Sequence, residues 1–324
     1  VYRYDNFHNK DVGTTPGTTP RGNGDSGVNK YKIGLNLSSK VNDYVKFNSR
    51  FIVGDRDNGG FVELGSGRNN TVQNGVPRAG AQNRGSDTQA DVTLSNAYFG
   101  FTAIPNTVVN IGKQGLTTPY TVATDINGNE QTGTGILALT TVGPVTGGLG
   151  YFNNTNLDKS IEINAQKKLG LASQSTGFPA PTGATDVLDG GSDMYVATVQ
   201  GDLDFVKLEA WYAGLQETFN TYTLAATSNI DLAENAKLGL EARYVNLKMN
   251  QDAANRISTL PNTETKNDMF GFAVDGKFSI VNARLAYTMT DKDGGLSARE
   301  HDSKNTSHRW FITTKGIEHA DYLK

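Results

Sequence analysis

Lys237-Leu238-Gly239-Leu240-Glu241-Ala242-Arg243-Tyr244 is the stretch that decides the fold. Its apolar residues Leu238, Leu240, Ala242 and Tyr244 alternate with Lys237, Glu241 and Arg243. Successive side chains of a β-strand point to opposite faces, so the segment has one greasy wall and one charged wall. Segments of this kind recur from Tyr31 to Thr314, joined alternately by tight turns and long polar connections. That rhythm predicts an all-β fold: a transmembrane, up-and-down, antiparallel β-barrel with short periplasmic turns and long extracellular loops. A soluble Greek-key sandwich has no reason to keep such an order.

Outward from that segment, the chain reads as about fourteen strands of some 16–18, each roughly 9–11 residues long. The first is expected at Val1 to Phe7, the second near Tyr31 to Lys40 and the third at Tyr44 to Val53. Val92 to Ala103 is expected as the fourth, with a bulge near Asn96 where the alternation shifts. Later strand pairs flank Val142-Gly143-Pro144, Gly201-Asp202-Leu203 and Asp231 to Asn235, and two more meet near Val281. The last is expected at Arg309 to Thr314. Long polar connections fall at Asp55 to Ala90, Asn153 to Ser192 and Asp291 to Ser307. Residues 1–324 are read as one barrel domain, incomplete at both ends: strand one opens abruptly, and Ala320-Asp321-Tyr322-Leu323-Lys324 lacks a closing strand.

Composition supports this. Hydrophobic residues make up 36% of the 324, low for a thick globular core but sufficient for a barrel that is apolar on one face. Apolar runs such as Ile136-Leu137-Ala138-Leu139 are far shorter than the roughly 20 residues of a helical span. The absence of cysteine excludes disulfide scaffolds and thiolate metal sites. A net charge of −3 gives no basic excess for nucleic acid.

If the apolar rows meet lipid, the other rows line a lumen. Arg3, Lys32, Lys46, Arg50, Lys207, Lys237, Arg243, Lys277 and Arg284 then form a basic wall, with fewer acids (Glu209, Glu241 and Asp275) on the same faces. An outward Arg or Lys near mid-bilayer costs about 2–4 kcal/mol, and several would exceed a typical stability of roughly 5–15 kcal/mol. The lumenal orientation is therefore forced within the barrel reading. Tyr44, Phe205 and Phe278 sit just past short turns, where amphipathic rings mark a membrane boundary.

Several motifs together resemble the porins of the Campylobacter-type major outer membrane protein family. They are Tyr2-Arg3-Tyr4-Asp5 in strand one, Gly112-Lys113-Gln114 after strand five, Thr124-Asp125, and Gly133-Thr134-Gly135 entering strand six. The resemblance implies an outer-membrane homotrimer of barrels with about eighteen strands, set among lipid and lipopolysaccharide. It implies passage of ions and small hydrophilic solutes through a constriction of inward-folded loops. It also implies acidic constriction residues able to hold calcium, carried here by Asp125, Glu130 and Asp158. Asp125 to Glu130 is open to a second reading as a solvated turn, since it lacks the spacing and distal Glu of an EF-hand.

Enzymatic chemistry finds little support. His8, His301, His308 and His319 show no metal-binding spacing, and Ser307 beside His308 is the only hint of a hydrolase. The leading expectation is a non-enzymatic general diffusion porin with Arg3, Lys46, Arg50, Lys207, Arg243 and Arg284 on its basic wall. A substrate-specific outer-membrane channel and a soluble all-β adhesin or carbohydrate-binding protein are the alternatives.

Overall fold

Alternation of apolar and polar residues becomes alternation of exposed and buried ones in the computed structural model. It describes residues 1–7, 26–54, 61–64, 72–73, 76–77, 90–121, 123–124, 132–155, 192–257, 264–290 and 321–323. The strand expected at Arg309 to Thr314 and all four histidines lie outside them.

The chain divides into two compact units, Val1–Leu37 with Ser49–Ser95, and Ser38–Asn48 with Asn96–Lys324. In the first, β1 (Tyr2–Phe7), β2 (Ser26–Tyr31) and β5 (Val62–Leu64) form an antiparallel sheet ordered β1-β2-β5. After a break at Lys32 the chain continues into β3 (Ile33–Lys40) and turns back as β4 (Val45–Gly54). A two-residue pair, β6 (Val72–Gln73) and β7 (Val76–Pro77), forms a separate ladder.

The second unit is a run of meanders. Its strands are β8 (Asp91–Phe101, entered at Asn96), β9 (Thr107–Gly115), β10 (Thr132–Val142), β11 (Val145–Thr155), β12 (Met194–Leu203) and β13 (Val206–Leu215). They continue with β14 (Phe219–Ala233), β15 (Ala236–Met249), the helix α1 (Gln251–Ile257), β16 (Lys266–Phe278), β17 (Val281–Thr290) and β18 (Asp321–Leu323). From β18 back to β8 each strand pairs with its sequence neighbour, and β4 and β3 complete a 13-stranded order. Among the described residues the strand pairs from β8 to β18 are antiparallel.

The tight turns fall where the breaker residues fall, shifted by a residue or two. Asp204-Phe205 joins β12 to β13, where the sequence pointed to Gly201 to Leu203. Glu234-Asn235 joins β14 to β15, and Ser279-Ile280 joins β16 to β17. Gly143, Asp204 and Ser279 adopt φ of 56°, 35° and 55° at the first turn position. A positive φ there matches the turn's twist to that of the flanking strands. Register shifts occur at Thr134/Gly135 and Asp231/Ala233, while the β8–β9 register begins at Ala97.

Burial is inverted relative to a soluble protein. Leu240 is 40% exposed while Arg243, three residues on, is only 6% exposed. Leu149, Val199, Leu224, Phe272 and Leu285 are likewise exposed, and Glu209, Thr221, Thr223 and Thr288 are buried. A soluble all-β surface protein would bury the rows that lie outside here.

Candidate functional site

The covered face of β13 to β17 carries a ladder of charges. Register places Glu209 of β13 beside Ala225 of β14, which faces Arg243 of β15. One position nearer the turns on that face, Glu241 of β15 lies beside Ala273 of β16, and Asp275 of β16 faces Arg284 of β17. Arg284 donates to Asp275 at 2.8 Å and to Glu241 at 2.9 Å. Arg243 donates to Glu241 at 3.3 Å from a nearly enclosed position. Trp211 Nε1 donates to Glu209 Oε2 at 3.2 Å. The small residues Ala225, Gly239 and Ala273 between them leave room for the long side chains. Every member sits at odd-numbered positions of β13 and β15 or their register partners, so strand alternation alone puts them on one face.

Loopward of this ladder the same face turns apolar. Trp211, Ala213 and Leu215 follow Glu209, and Val245, Leu247 and Met249 follow Arg243. All but the half-buried Trp211, which packs against them, join Phe152, Met194, Val196, Phe219 and Met269 in a buried cluster. Two elements fold onto it. One is the segment after β9, whose Leu116 and Tyr120 join the cluster. The other is α1, whose Ala253 and Ala254 are fully buried. The segment holds its own shape: Thr118 Oγ1 accepts from the amides of Tyr120 and Thr121, and Thr121 Oγ1 donates to the Leu116 carbonyl at 2.7 Å. Tyr120 Oη reaches the Trp211 carbonyl at 3.4 Å. The charged ladder therefore lies directly turnward of an inward-packed segment.

The exposed face changes character at the same level. Tyr151–Tyr195, Tyr212–Tyr222 and Tyr244–Phe270 form ring pairs with centroids 5.4, 5.2 and 4.8 Å apart. Their hydroxyls point loopward: Tyr244 donates to Asp268 at 3.0 Å and Tyr212 to Asn220 at 2.7 Å. Below this belt the exposed face is apolar; above it stand Asn220, Asn246, Lys248 and Asp268. Tyr44, Phe205 and Phe278 are exposed near the tight turns. From Ala236 to Tyr244 the strand rises about 26 Å at roughly 3.3 Å per residue. Tilted by about 40°, this spans ~20 Å, close to the roughly 25 Å apolar band between the aromatic girdles of outer-membrane barrels.

The other basic residues expected at the site are distributed as follows. Arg3 and Lys32 both stand over the Phe61 ring, at 5.8 and 5.9 Å, and Lys32 is buried. Arg50 Nη1 donates to Asn36 at 2.8 Å, and its guanidinium fills the space beside Gly34. Lys46 is exposed and shares a face of β4 with Arg50 by alternation. Lys207 is exposed and pairs in register with Asp202. Asp125, Glu130 and Asp158 lie outside the described residues. Among the described residues no group of three or more His, Asp or Glu could hold a metal.

The motif glycines have backbone reasons. A Cβ on Gly112 would stand 2.4 Å from the Ala97 carbonyl oxygen, and one on Gly135 would stand 2.0 Å from that of Tyr151. Gln114 is buried and donates to the Asn110 carbonyl at 3.2 Å. The motifs of the sequence do not mark Trp211, Tyr120 and the apolar cluster as site components. Their signal was a switch of parity: up to Tyr244 the apolar residues of β15 are even-numbered, and beyond it they are odd-numbered.

An antiparallel meander with exposed apolar rows, two aromatic levels and a covered charged face defines a transmembrane β-barrel of the outer-membrane channel class. The profile of the Campylobacter major outer membrane protein family matches residues 1–318, and the chain belongs to that family. It is accordingly a protein of the bacterial outer membrane. No curated protein matches the chain. Among solved structures it is similar to Pseudomonas aeruginosa OpdL, at 12% identity and TM-score 0.60, covering 93% of this chain and 70% of that one. Acinetobacter baumannii OccAB1 gives 14% identity and TM-score 0.57, covering 93% and 67%. Pseudomonas aeruginosa OccD3 gives 14% identity and TM-score 0.54 over 83% of this chain. The chain spans only 54% of OccD3's length. At these identities the likeness is one of fold.

Proposed function

We propose that the protein is a passive, non-enzymatic porin that admits ions and small hydrophilic solutes through a lumen lined by the charged face. The observation that carries this reading is the inversion of burial: Arg243 and Glu209 are covered while Leu240 and Leu285 are exposed. The segment from Leu116 to Thr121 narrows the passage from the loop side, and the charge ladder lies just beyond it. Positive Arg243 and Arg284, interleaved with Glu209, Glu241 and Asp275, create alternating potentials along the wall. Such a local field orients dipolar solutes and sets ion preference without any bound intermediate. Lys46 and Lys207 belong to the lining of the second unit in this reading, and Arg3 and Arg50 are pore-lining residues of the first.

The protein also works, we propose, as a homotrimer surrounded by lipid and lipopolysaccharide, with Asp125, Glu130 and Asp158 holding calcium at the constriction. The trimer is tested by mass in detergent without heating.

Single-channel recording in a planar bilayer tests the main reading. Stepwise, ohmic conductance that scales with salt is expected, and vesicles that stay impermeable to salt and small sugars would overturn it. Saturable block by one class of solute would instead favour a substrate-specific channel.

A further inference from the structure

The covered face changes chemistry around the sheet as well as along it. Register carries that face from Trp211 of β13 through Thr198 of β12 and Gly148 of β11 to Leu139 of β10 and Val108 of β9. The opposite parity, Leu149, Ala138 and Val109, looks towards lipid. Turnward of Gly112, Gly135 and Phe152, β9, β10 and β11 carry no charged residue. What they place on the covered face is mostly hydrocarbon. A Cβ on Gly148 would stand 2.6 Å from Leu139 Cδ2 and 2.9 Å from Thr198 Cγ2, and one on Gly150 would stand 3.2 Å from Leu137 Cδ1. Both leucines therefore lie across the two glycines. Thr198 Oγ1 donates to the Ala210 carbonyl at 3.1 Å, which leaves its methyl group towards Gly148. Leu139 and Val108 remain 37% and 42% exposed. Their exposure is to the passage, not to lipid.

This apolar strip lies at the depth of the charge ladder. Gly148, Thr198 and Glu209 each stand three residues turnward of the belt tyrosine on their own strand, Tyr151, Tyr195 and Tyr212. Trp211 joins the two sectors: it continues the row of Thr198, and its Nε1 donates to Glu209 at 3.2 Å. On the charged side both signs stand close together, Asp231 with Lys237 at 2.9 Å and Asp275 with Arg284 at 2.8 Å. A solute beyond the inward segment thus meets hydrocarbon from β9 to β13 and paired ions from β13 to β17. An exposed apolar patch with a polar border is the mark of a ligand surface.

We propose that the lumen favours small zwitterions carrying an apolar side chain, the chemistry of an aliphatic or aromatic amino acid, over hydroxylated zwitterions of the same size, and that Val108 and Leu139 set the preference. The inference rests on the porin reading and names its solute class. A zwitterion has a dipole that the alternating potentials of the ladder orient, and it brings no net charge for either sign to repel. Its hydrocarbon loses water against the strip, a gain proportional to the apolar area covered. A hydroxyl in the same place gives up hydrogen bonds to water that Val108 and Leu139 cannot replace. Inorganic ions gain nothing from the strip, so it leaves salt conductance untouched.

The test compares valine with threonine, which share shape and net charge and differ by a methyl against a hydroxyl. The full chain is reconstituted in vesicles, and the initial uptake of each labelled amino acid is measured at micromolar concentration. Wild type is expected to take up valine about threefold faster, the weight of one partly covered methyl group. Val108→Thr/Leu139→Asn keeps the side-chain sizes and should bring the ratio to about one. Val108→Ile/Leu139→Met keeps the strip apolar and should hold the ratio near the wild-type value. Heat-modifiable gel mobility establishes that each variant is folded, and salt conductance should be equal in all three proteins. A wild-type ratio of one, or a polar variant that keeps the wild-type ratio, would overturn the strip and leave the porin reading intact. Vesicles that admit neither amino acid nor salt would instead strike the porin reading, and this inference with it.

Discussion

Glu241 Oε2 accepts a hydrogen bond from Arg284 Nη2 at 2.9 Å while its other oxygen takes Arg243 at 3.3 Å, so one carboxylate ties together two arginines from β15 and β17. Arg243 is almost fully enclosed and Arg284 is not, at 4% and 41% side-chain exposure. The same acid therefore serves a structural pair and a solvent-accessible one. Removing it takes from the enclosed Arg243 its ion pair with Glu241.

Glu241→Gln is therefore expected to destabilise the folded barrel. Breaking a buried ion pair costs about 3–5 kcal/mol, and water beside Arg284 lowers that to the bottom of the range. The urea midpoint of the protein folded in vesicles measures it. The same substitution removes a negative charge from the lining, so the reversal potential in a salt gradient should move towards anion preference. A midpoint unchanged within error would refute the coupling between the two arginines.

Leu240→Arg and Asn229→Arg separate the two faces directly. Leu240 sits on the exposed apolar row, and a cation there meets lipid at a cost of about 2–4 kcal/mol. Asn229 faces Gly239 on the charged side, where an added guanidinium is hydrated. The first variant should lose folding stability and the second should keep it while shifting ion preference. Equal losses in both would mean that the faces have been assigned the wrong way round.

The membrane-embedded part of this architecture was legible in the sequence because lipid imposes a strict period of two. Lys237 to Tyr244 shows it without interruption, and the turns at Val142 to Val145 and near Val281 announce themselves through Gly-Pro and polar residues. The upper part was not legible in the same way. Past Tyr244 the alternation inverts, because the outside becomes aqueous and the inside is covered by Leu116, Tyr120 and α1. Met249, Leu247 and Val245 then look like a lipid-facing row in the wrong register. Nothing local to β15 reveals that a segment more than a hundred residues earlier packs against it. The individual ion pairs were hidden for a related reason: Glu241, Asp275 and Arg284 meet only once the β15–β16–β17 register is known.

Tyr120→Ala tests whether the inward segment narrows the passage. The ring belongs to the buried cluster, and its hydroxyl reaches the Trp211 carbonyl. Truncating a buried aromatic costs about 3–5 kcal/mol, which falls locally on the packing of residues 116–121. Single-channel conductance is expected to rise and larger sugars to permeate in the liposome-swelling assay. An unchanged size limit would place the narrowest point elsewhere.

Calcium removal probes the three acids of the third and fourth loops. If Asp125, Glu130 and Asp158 share a calcium ion, chelation with EGTA should lower the thermal midpoint of the wild-type protein, and millimolar calcium should restore it. The Asp125→Asn/Glu130→Gln/Asp158→Asn protein should show the lower midpoint with or without EGTA. A wild-type midpoint that ignores both chelator and calcium would remove the metal from the account.

Ser279→Gly should stabilise the protein. Ser279 holds φ at 55° in the turn between β16 and β17, a conformation that costs an L-residue roughly 1–2 kcal/mol. Glycine adopts it freely but brings extra entropy to the unfolded chain, worth about 0.5–1 kcal/mol. The net gain should be on the order of 0.5–1 kcal/mol, read as a higher urea midpoint with unchanged conductance. Gly143 offers the opposite control. At φ 56° and followed by Pro144, it already carries the favoured residue, so Gly143→Val should lower the midpoint by a comparable or larger amount. If Ser279→Gly instead lowers the midpoint, the serine contributes a contact at the periplasmic rim that outweighs its backbone strain.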